Sequence, residues 1–233
     1  MRYSGFILIF FLQTAFSANY PVKIGNTTVI IQKIARSNGK NFVHLHQNET
    51  TALTAAKAIV TKNGGSILTL VHPGQRNVIF HIHNKRYEFD PNRIFTDRGI
   101  QKTLQNFGGY TLQAHKEVKK LADQIKLHLP AGKIVAVHNN KSYSFKDYLP
   151  GQNLAADAQD LQIKDGQHYR NFYLVTQLQD YRRIKKLNFN GIWQAKNAAD
   201  DGSLSIFLAG RNYVNVEAGY NQLSAQIRML QQV

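Results

Sequence analysis

The chain has 233 residues, a formal net charge of +15 and no cysteine. Its length is sufficient for one sizeable domain around a hydrophobic core, and no linker rich in Pro, Gly and Ser divides it. The lack of cysteine excludes disulfides, thiolate metal ligands and cysteine nucleophiles. The positive charge favours polyanionic partners, but the Lys and Arg residues are scattered, and the two tight clusters, "EVKKL" and "YRRIKKL", lie on predicted helices. We interpret these clusters as solvated helix faces and expect no nucleic-acid partner.

The N-terminus has the features of a secretory signal peptide. A basic residue follows the initiator methionine, and the apolar run "GFILIFFLQTAF" leads to small residues at Ser17 and Ala18. The run is shorter than the roughly 20 residues that a membrane-spanning helix needs. We predict a signal peptide at residues 1–18, a mature domain at 19–233, and a periplasmic or secreted protein without a stable membrane span.

Strands and helices alternate along the rest of the chain. Runs rich in β-branched and aromatic residues predict strands at "TTVIIQKIA", "NFVHLH", "SILTLVH", "NVIFHIH", "RYEF", "KIVAVH", "NFYLVT", "SLSIFLA" and "NYVNVEA". Small and apolar residues at near-helical spacing predict helices at "TTALTAAKAIVTKNGG", "TLQAHKEVKKLADQIKLHL", "DYRRIKKL" and "NQLSAQIRMLQQ". The three strand runs between residues 66 and 89 are expected to form a small meander or hairpin beside the main sheet.

This alternation is typical of a single α/β domain with a mixed, mostly parallel central sheet flanked by helices. Ligands of such sheets bind beyond the C-terminal ends of the strands. Polar side chains are concentrated there in four motifs: "HLHQNE" (44–49), "FDPNRIF" (89–95), "VAVHNN" (135–140) and "VNVEAG" (214–219).

The first of these motifs contains a candidate metal site. His46 and Glu49 have a spacing that lets an imidazole and a carboxylate converge on one cation, and His138 at another strand end could complete a His2Glu set. Three such ligands with a fourth position open to water are typical of a catalytic zinc site. The alternative is a polar strand end whose histidines are merely hydrogen-bonded, and His44 is an alternative ligand or a supporting partner.

The order of the motifs resembles the zinc carboxypeptidase-like superfamily, which includes metallocarboxypeptidases and aspartoacylase-like deacylases. The family pattern is H-x-x-E after a strand, an Asn-Arg pair, a ligand His at a strand end and a general-base Glu on a late strand. Here "HQNET", "DPNRIFT", "HNN" and "NVEA" follow in that order between residues 42 and 220. The combination looks like a small bacterial exported branch, and the resemblance implies a zinc exopeptidase (phosphorylase/hydrolase-like) fold.

The resemblance also implies a role for each matching residue. One Zn2+ would be held by His46, Glu49 and His138. A substrate carboxylate would be bound by Asn92 and Arg93, because a guanidinium binds a carboxylate in a bidentate manner.

Two further residues would act in catalysis. Glu217 would serve as the general base that takes a proton from the attacking water and passes it to the leaving amine. Arg76 would stabilise the oxyanion. Tyr213 and Tyr220 are candidates for a tyrosine that closes over the substrate, while Asp200 and Asp201 are expected to form a turn into a strand or to support a zinc histidine.

We therefore expect an exported zinc-dependent hydrolase that cleaves an amide or peptide bond next to a free carboxylate. Its substrates would be peptides, muropeptides from peptidoglycan stems, or small N-acyl amino acids, the last as in the aspartoacylase-like deacylases. A non-catalytic basic binding protein with the same fold is the alternative from a different class.

Overall fold

The computed structural model describes residues 16–73 and 76–233. The predicted signal peptide lies outside these residues except for its last three positions, and its cleavage stays a prediction. Phe16 to Ala18 belong to the first strand, so cleavage after Ala18 would shorten that strand at its start.

Within the described residues the chain forms eleven strands and six α-helices. The strands are β1 (Phe16–Ile24), β2 (Thr27–Ala35), β3 (Lys40–His44), β4 (Gly65–Val71), β5 (Val78–Ile82), β6 (Lys85–Phe89), β7 (Ile134–Asn140), β8 (Ala158–Gln162), β9 (Phe172–Val175), β10 (Asn190–Gln194) and β11 (Tyr213–Gly219). The helices are α1 (Thr50–Asn63), α2 (Asp97–Asn106), α3 (Leu112–His128), α4 (Leu178–Ile184), α5 (Leu204–Phe207) and α6 (Leu223–Gln232).

The main sheet is mixed and contains nine of these strands in the order β1-β2-β4-β3-β7-β11-β9-β10-β8. Its centre, β4-β3-β7-β11, is parallel throughout, and β9 and β10 also pair in parallel. The strands β1, β2 and β8 pair antiparallel towards the two edges. The predicted single α/β domain with a central sheet flanked by helices is confirmed.

Two hydrophobic cores cover the two faces of this sheet because successive strand residues point to opposite sides. On β7, Val135 and Val137 belong to the core under α1, α4 and α6, whereas Ile134 and Ala136 belong to the core under α2 and α3. The site described below lies on the second face. Among the described residues, no helix has the length and apolar content needed to cross a membrane.

The hairpin β5–β6 is separate from the main sheet and packs on the turn between β1 and β2. Gly25 in that turn has φ +51°, and a Cβ there would lie 2.2 Å from the carbonyl oxygen of His81. Asn26 completes the contact by donating its backbone N–H to the same oxygen. This close approach needs glycine, and it fixes the hairpin whose end enters the site.

Two of the predicted elements, at residues 66–72 and 203–209, differ from the structure. The run at 66–72 is not part of a side meander, since β4 lies inside the main sheet between β2 and β3. The run at 203–209 is not a strand, because residues 204–207 form the short helix α5. Ser203 begins this helix by accepting a hydrogen bond from the backbone N–H of Ile206. A short apolar run does not distinguish a strand from a buried helix.

Candidate active site

The site lies where the parallel strands β3, β7 and β11 end. After β3, the chain makes a tight turn in which the backbone N–H of Glu49 donates to the carbonyl of His46, 2.9 Å away. The turn brings both side chains together before α1 begins. His138 lies near the end of β7, and the next strand, β11, places Glu217 in direct register with it. Register partners on adjacent strands point to the same face, so the two side chains share one side of the sheet.

The predicted ligand set forms a compact, buried group. The Nδ1 of His46 lies 3.0 Å from Glu49 Oε1 and 3.3 Å from His138 Nδ1, and the latter lies 3.0 Å from Glu49 Oε2. Zinc bonds of about 2.0–2.1 Å at tetrahedral angles separate ligand atoms by about 3.3–3.4 Å. The donor spacing is close to this value, and the group can hold a metal ion. The residues present therefore fit the ion that the resemblance implies.

His46 is oriented by a carboxylate that the sequence prediction missed. Its Nε2 lies 2.7 Å from Asp90 Oδ1, immediately after β6. A carboxylate on the far nitrogen of a metal-binding histidine fixes the ring and raises its basicity. No role of its own is predicted for Asp90 within the motif "FDPNRIF". Its signal in the sequence was a carboxylate at a strand end next to other polar residues.

The electrostatics of this group favour a cation. Burial lowers the pKa of His46, but the carboxylates of Glu49 and Asp90 outweigh it and raise the pKa to about 9. Conversely, burial raises the pKa of Glu49, but His46 and His138 hold it well below its usual range. The carboxylates of Glu49 and Asp90 lie on opposite sides of the His46 ring and favour a positive charge between them.

His44 is a structural residue rather than a ligand. Its Nδ1 contacts Thr69 Oγ1 at 2.9 Å and its Nε2 contacts the carbonyl oxygen of Glu49 at 3.1 Å, so both ring nitrogens are occupied. Burial, opposed only in part by Glu49, lowers its pKa to about 4. His44 therefore supports the turn that carries Glu49.

Arg76 lies in the lining of the site and bridges two of its carboxylates. Its Nη1 donates to Glu49 Oε1 at 2.6 Å, and its Nη2 lies 3.5 Å from Asp90 Oδ2. Its side chain is 46% exposed, whereas Glu49 is buried. The Arg76 guanidinium therefore extends from the buried carboxylate of Glu49 to the open space of the cavity.

Asn92 and Arg93 are held beside the turn before α5. The backbone N–H of Leu204 donates to Asn92 Oδ1 at 3.1 Å, while Arg93 Nη1 lies 3.4 Å from Asp201 Oδ2. That carboxylate is carried by a turn that closely approaches α2, since a Cβ on Gly202 would lie 2.4 Å from the Cα of Gly99. Asp201 therefore pairs with Arg93 and does not support a zinc histidine, and the turn leads into a helix instead of a strand.

Two asparagines hold Glu217 from both sides. Asn140 Nδ2 donates to Glu217 Oε2 at 3.0 Å, and Asn215 Nδ2 donates to Oε1 at 3.1 Å. A carboxylate oxygen accepts hydrogen bonds, so these two amide donors fix the orientation of the Glu217 carboxylate. Sequence reasoning missed both partners, although "VNVE" places Asn215 two residues before Glu217 and so on the same face of the strand.

All the predicted site residues line one cavity of about 430 Å³. It contains the candidate metal-binding group His46, Glu49 and His138, together with Arg76, Asn92, Arg93 and Glu217. Of the two candidate closing tyrosines, Tyr220 accepts a hydrogen bond from Asn48 Nδ2 at 3.1 Å, whereas Tyr213 is buried in the cavity wall.

Comparison with known proteins yields one structural resemblance of interest. No family model matches this chain, and no curated protein matches it. Among solved structures, the crystal structure of an aspartoacylase family protein from Mesorhizobium loti is similar to it, with 11% sequence identity and a TM-score of 0.46. The match covers 94% of this chain, and the chain spans 66% of the length of that protein.

Proposed function

We propose that this protein is a zinc-dependent hydrolase that cleaves an amide or peptide bond next to a free carboxylate. The observation that carries the proposal is the presence of two functional sets in one cavity: three buried metal-ligand side chains, and a carboxylate with two guanidinium groups. A His2Glu set without thiolate matches the ligands of catalytic zinc sites. The motif order shared with zinc carboxypeptidase-like proteins supports the same activity.

Each part of the cavity has a chemical task in this proposal. When bound, zinc would supply a Lewis acid that polarises the substrate carbonyl and activates water. Glu217, oriented by the two amide donors Asn140 and Asn215, takes the proton from the attacking water. The oxygen–carbon bond forms, the carbon–nitrogen bond breaks, and Glu217 returns the proton to the leaving nitrogen.

Substrate binding falls to the cationic residues. Arg93 offers a guanidinium to the free carboxylate of the substrate, and Asn92 offers its amide beside it. Arg76 places a second guanidinium next to Glu49, where it stabilises the negative charge that develops on the carbonyl oxygen.

The substrate source follows from the predicted export signal and the basic charge. We infer that peptidoglycan stem peptides are the first substrates to test, because they combine amide bonds with free carboxylates outside the cytoplasm. Small N-acyl amino acids are the second class, as acted on by the aspartoacylase-like deacylases to which the sequence bears a resemblance.

The decisive experiment measures hydrolysis by the zinc-loaded protein of muropeptides, ordinary peptides and N-acyl amino acids. Glu217→Gln should lower kcat by about 100- to 10,000-fold while zinc content stays unchanged, because it removes the base but no ligand. The matched control is Glu88→Gln, since Glu88 pairs with Asn77 and Arg86 on the separate hairpin. Binding of these compounds without any hydrolysis would instead support the non-catalytic binding protein.

A further inference from the structure

A second cavity adjoins the proposed active site. Its volume is about 140 Å³, and it shares with the larger cavity the side chains of Arg93, Tyr143, Asp201, Ser203 and Ser205. The two spaces therefore meet at Arg93, the residue proposed to bind the substrate carboxylate. A group attached next to that carboxylate is within reach of this side cavity.

One part of the wall of the side cavity is apolar. Leu154, Leu174 and Ile206 line it together with the ring of Tyr148. Tyr148 is 6% exposed and Leu174 is 4% exposed, so these walls belong to the folded core and hold a defined shape. A space of this size with such walls suits the aliphatic part of a single amino acid side chain.

Charge in the side cavity is predominantly negative. Among the described residues that line it, the carboxylates of Asp157 and Asp201 outnumber a single guanidinium, Arg93. Backbone groups hold both carboxylates in place: Asp157 Oδ1 accepts from the N–H of Ala199 at 2.8 Å, and Asp201 Oδ1 accepts from the N–H of Ser203 at 2.9 Å. When a substrate carboxylate pairs with Arg93, the carboxylates of Asp157 and Asp201 are available to pair with a cationic group of the substrate.

Two tyrosines provide neutral hydrogen-bonding groups in the same place. The hydroxyls of Tyr143 and Tyr148 bond to each other. Burial raises the pKa of Tyr148, and the carboxylates of Glu217, Asp201 and Asp157 add to that rise, so the hydroxyl stays protonated. A protonated phenol can accept a hydrogen bond from an ammonium group, while its ring packs against an alkyl chain.

We propose that the side cavity selects substrates in which the carboxylate bound by Arg93 belongs to an amino acid with an aliphatic side chain ending in a primary amine. The alkyl stem packs on Leu154, Leu174 and Ile206, and the ammonium group pairs with Asp157 and Asp201. Long cationic side chains commonly bury their stems in this way while the charged end meets polar groups. This inference rests on the proposed function, whose substrate class it specifies.

The test compares lysine with norleucine, which has the same straight stem but lacks the amine. The zinc-loaded protein should cleave N-acetyl-lysine with a kcat/KM about 10- to 100-fold above that for N-acetyl-norleucine, the range expected of one charge-assisted pair. Asp157→Asn, which keeps the oxygen that accepts from Ala199, should remove most of this preference. The preference should survive in Asp160→Asn, because Asp160 lies outside the cavity on β8 and also accepts from a backbone N–H, that of Leu161.

Direct binding separates this inference from the proposed activity. Calorimetry should find tighter binding of free lysine than of norleucine, by a similar factor that Asp157→Asn reduces and Asp160→Asn does not. If this preference is measured but no amide is cleaved, the hydrolase proposal fails and the side-cavity inference stands. Equal cleavage or equal binding of the two compounds, no binding of either, or an unchanged preference in Asp157→Asn would overturn the inference.

Discussion

The candidate metal-binding half of the cavity and its proposed substrate-binding half are built in opposite ways. The side chains of His46, Glu49 and His138 are only 1 to 3% exposed. By contrast, the side chains of Arg93 and Asp201 are 41% and 46% exposed. The first half lies at strand ends in the centre of the parallel sheet. The second half lies on two turns, one at residues 91–93 after β6 and the other before α5.

The difference in burial indicates that the candidate metal-binding half is the preorganised part of the site. Two of the three candidate ligands have a partner outside the set: Asp90 contacts His46, and Arg76 contacts Glu49. A rigid donor set retains its geometry without the rest of the cavity. The exposed half depends on charge pairs such as that of Arg93 with Asp201. In the proposed function a substrate carboxylate replaces this pair, so we expect the exposed half to control substrate selection.

The largest effect is expected from removing a buried ligand. His138→Ala should abolish stoichiometric zinc and lower hydrolysis by at least about 1,000-fold, because the metal contributes several kcal/mol to catalysis. Metal analysis of the purified protein checks the first result. His83→Ala, an exposed change in the turn of the β5–β6 hairpin, serves as the control. Full zinc content in His138→Ala would mean that this group does not hold the metal.

Substitution of the carboxylate behind His46 comes next. Asp90→Asn keeps an oxygen for the backbone N–H of Asn92 but removes the charge that orients the imidazole. Zinc affinity should fall by about 10- to 100-fold, as measured by competition with a chelator. Asp97→Asn, an exposed change at the start of α2, should leave zinc affinity unchanged. Equal affinities in both variants would mean that Asp90 has no role in metal binding.

The exposed half should respond through substrate affinity. Arg93→Gln is expected to raise KM by about 10- to 100-fold with a smaller change in kcat, since the carboxylate contact exists before and during the reaction. Steady-state kinetics on one cleaved substrate measures both. Arg98→Gln on the exposed face of α2 is the charge-matched control. A loss confined to kcat would assign Arg93 to the chemical step instead.

The smallest effect concerns stability in acid near the metal half. Burial, and to a lesser extent nearby His46, lowers the pKa of His72 to about 4. The unfolded chain titrates near 6.5, so between these values it binds more protons than the folded chain. Metal-free protein should lose up to about 1.4 kcal/mol of unfolding free energy per pH unit as pH falls from 6.5 to 4. Denaturant unfolding of His72→Phe should show a flatter dependence, and an unchanged slope would contradict this assignment.

Much of the site could be predicted because local sequence patterns show where strands end and which polar residues follow them. His46 and Glu49 follow an apolar run, and His138 and Glu217 fall at the ends of two others. The period of two also places alternate residues on one face. The role of Asp90 could not be predicted, because its contact with His46 spans 44 positions and depends on a hairpin outside the main sheet.

The α/β class and the candidate ligands could be predicted from hydrophobic period and residue chemistry at strand ends. The role of Glu217 as a base was implied only by the resemblance in motif order to zinc carboxypeptidase-like proteins. Only the tertiary structure decided that residues 204–207 are helical, that Arg93 pairs with Asp201, and that a side cavity with Asp157 adjoins the site. The reason is sequence separation. Hydrophobic periodicity depends on residues that are close along the chain, whereas cavities and ion pairs form where distant segments pack together.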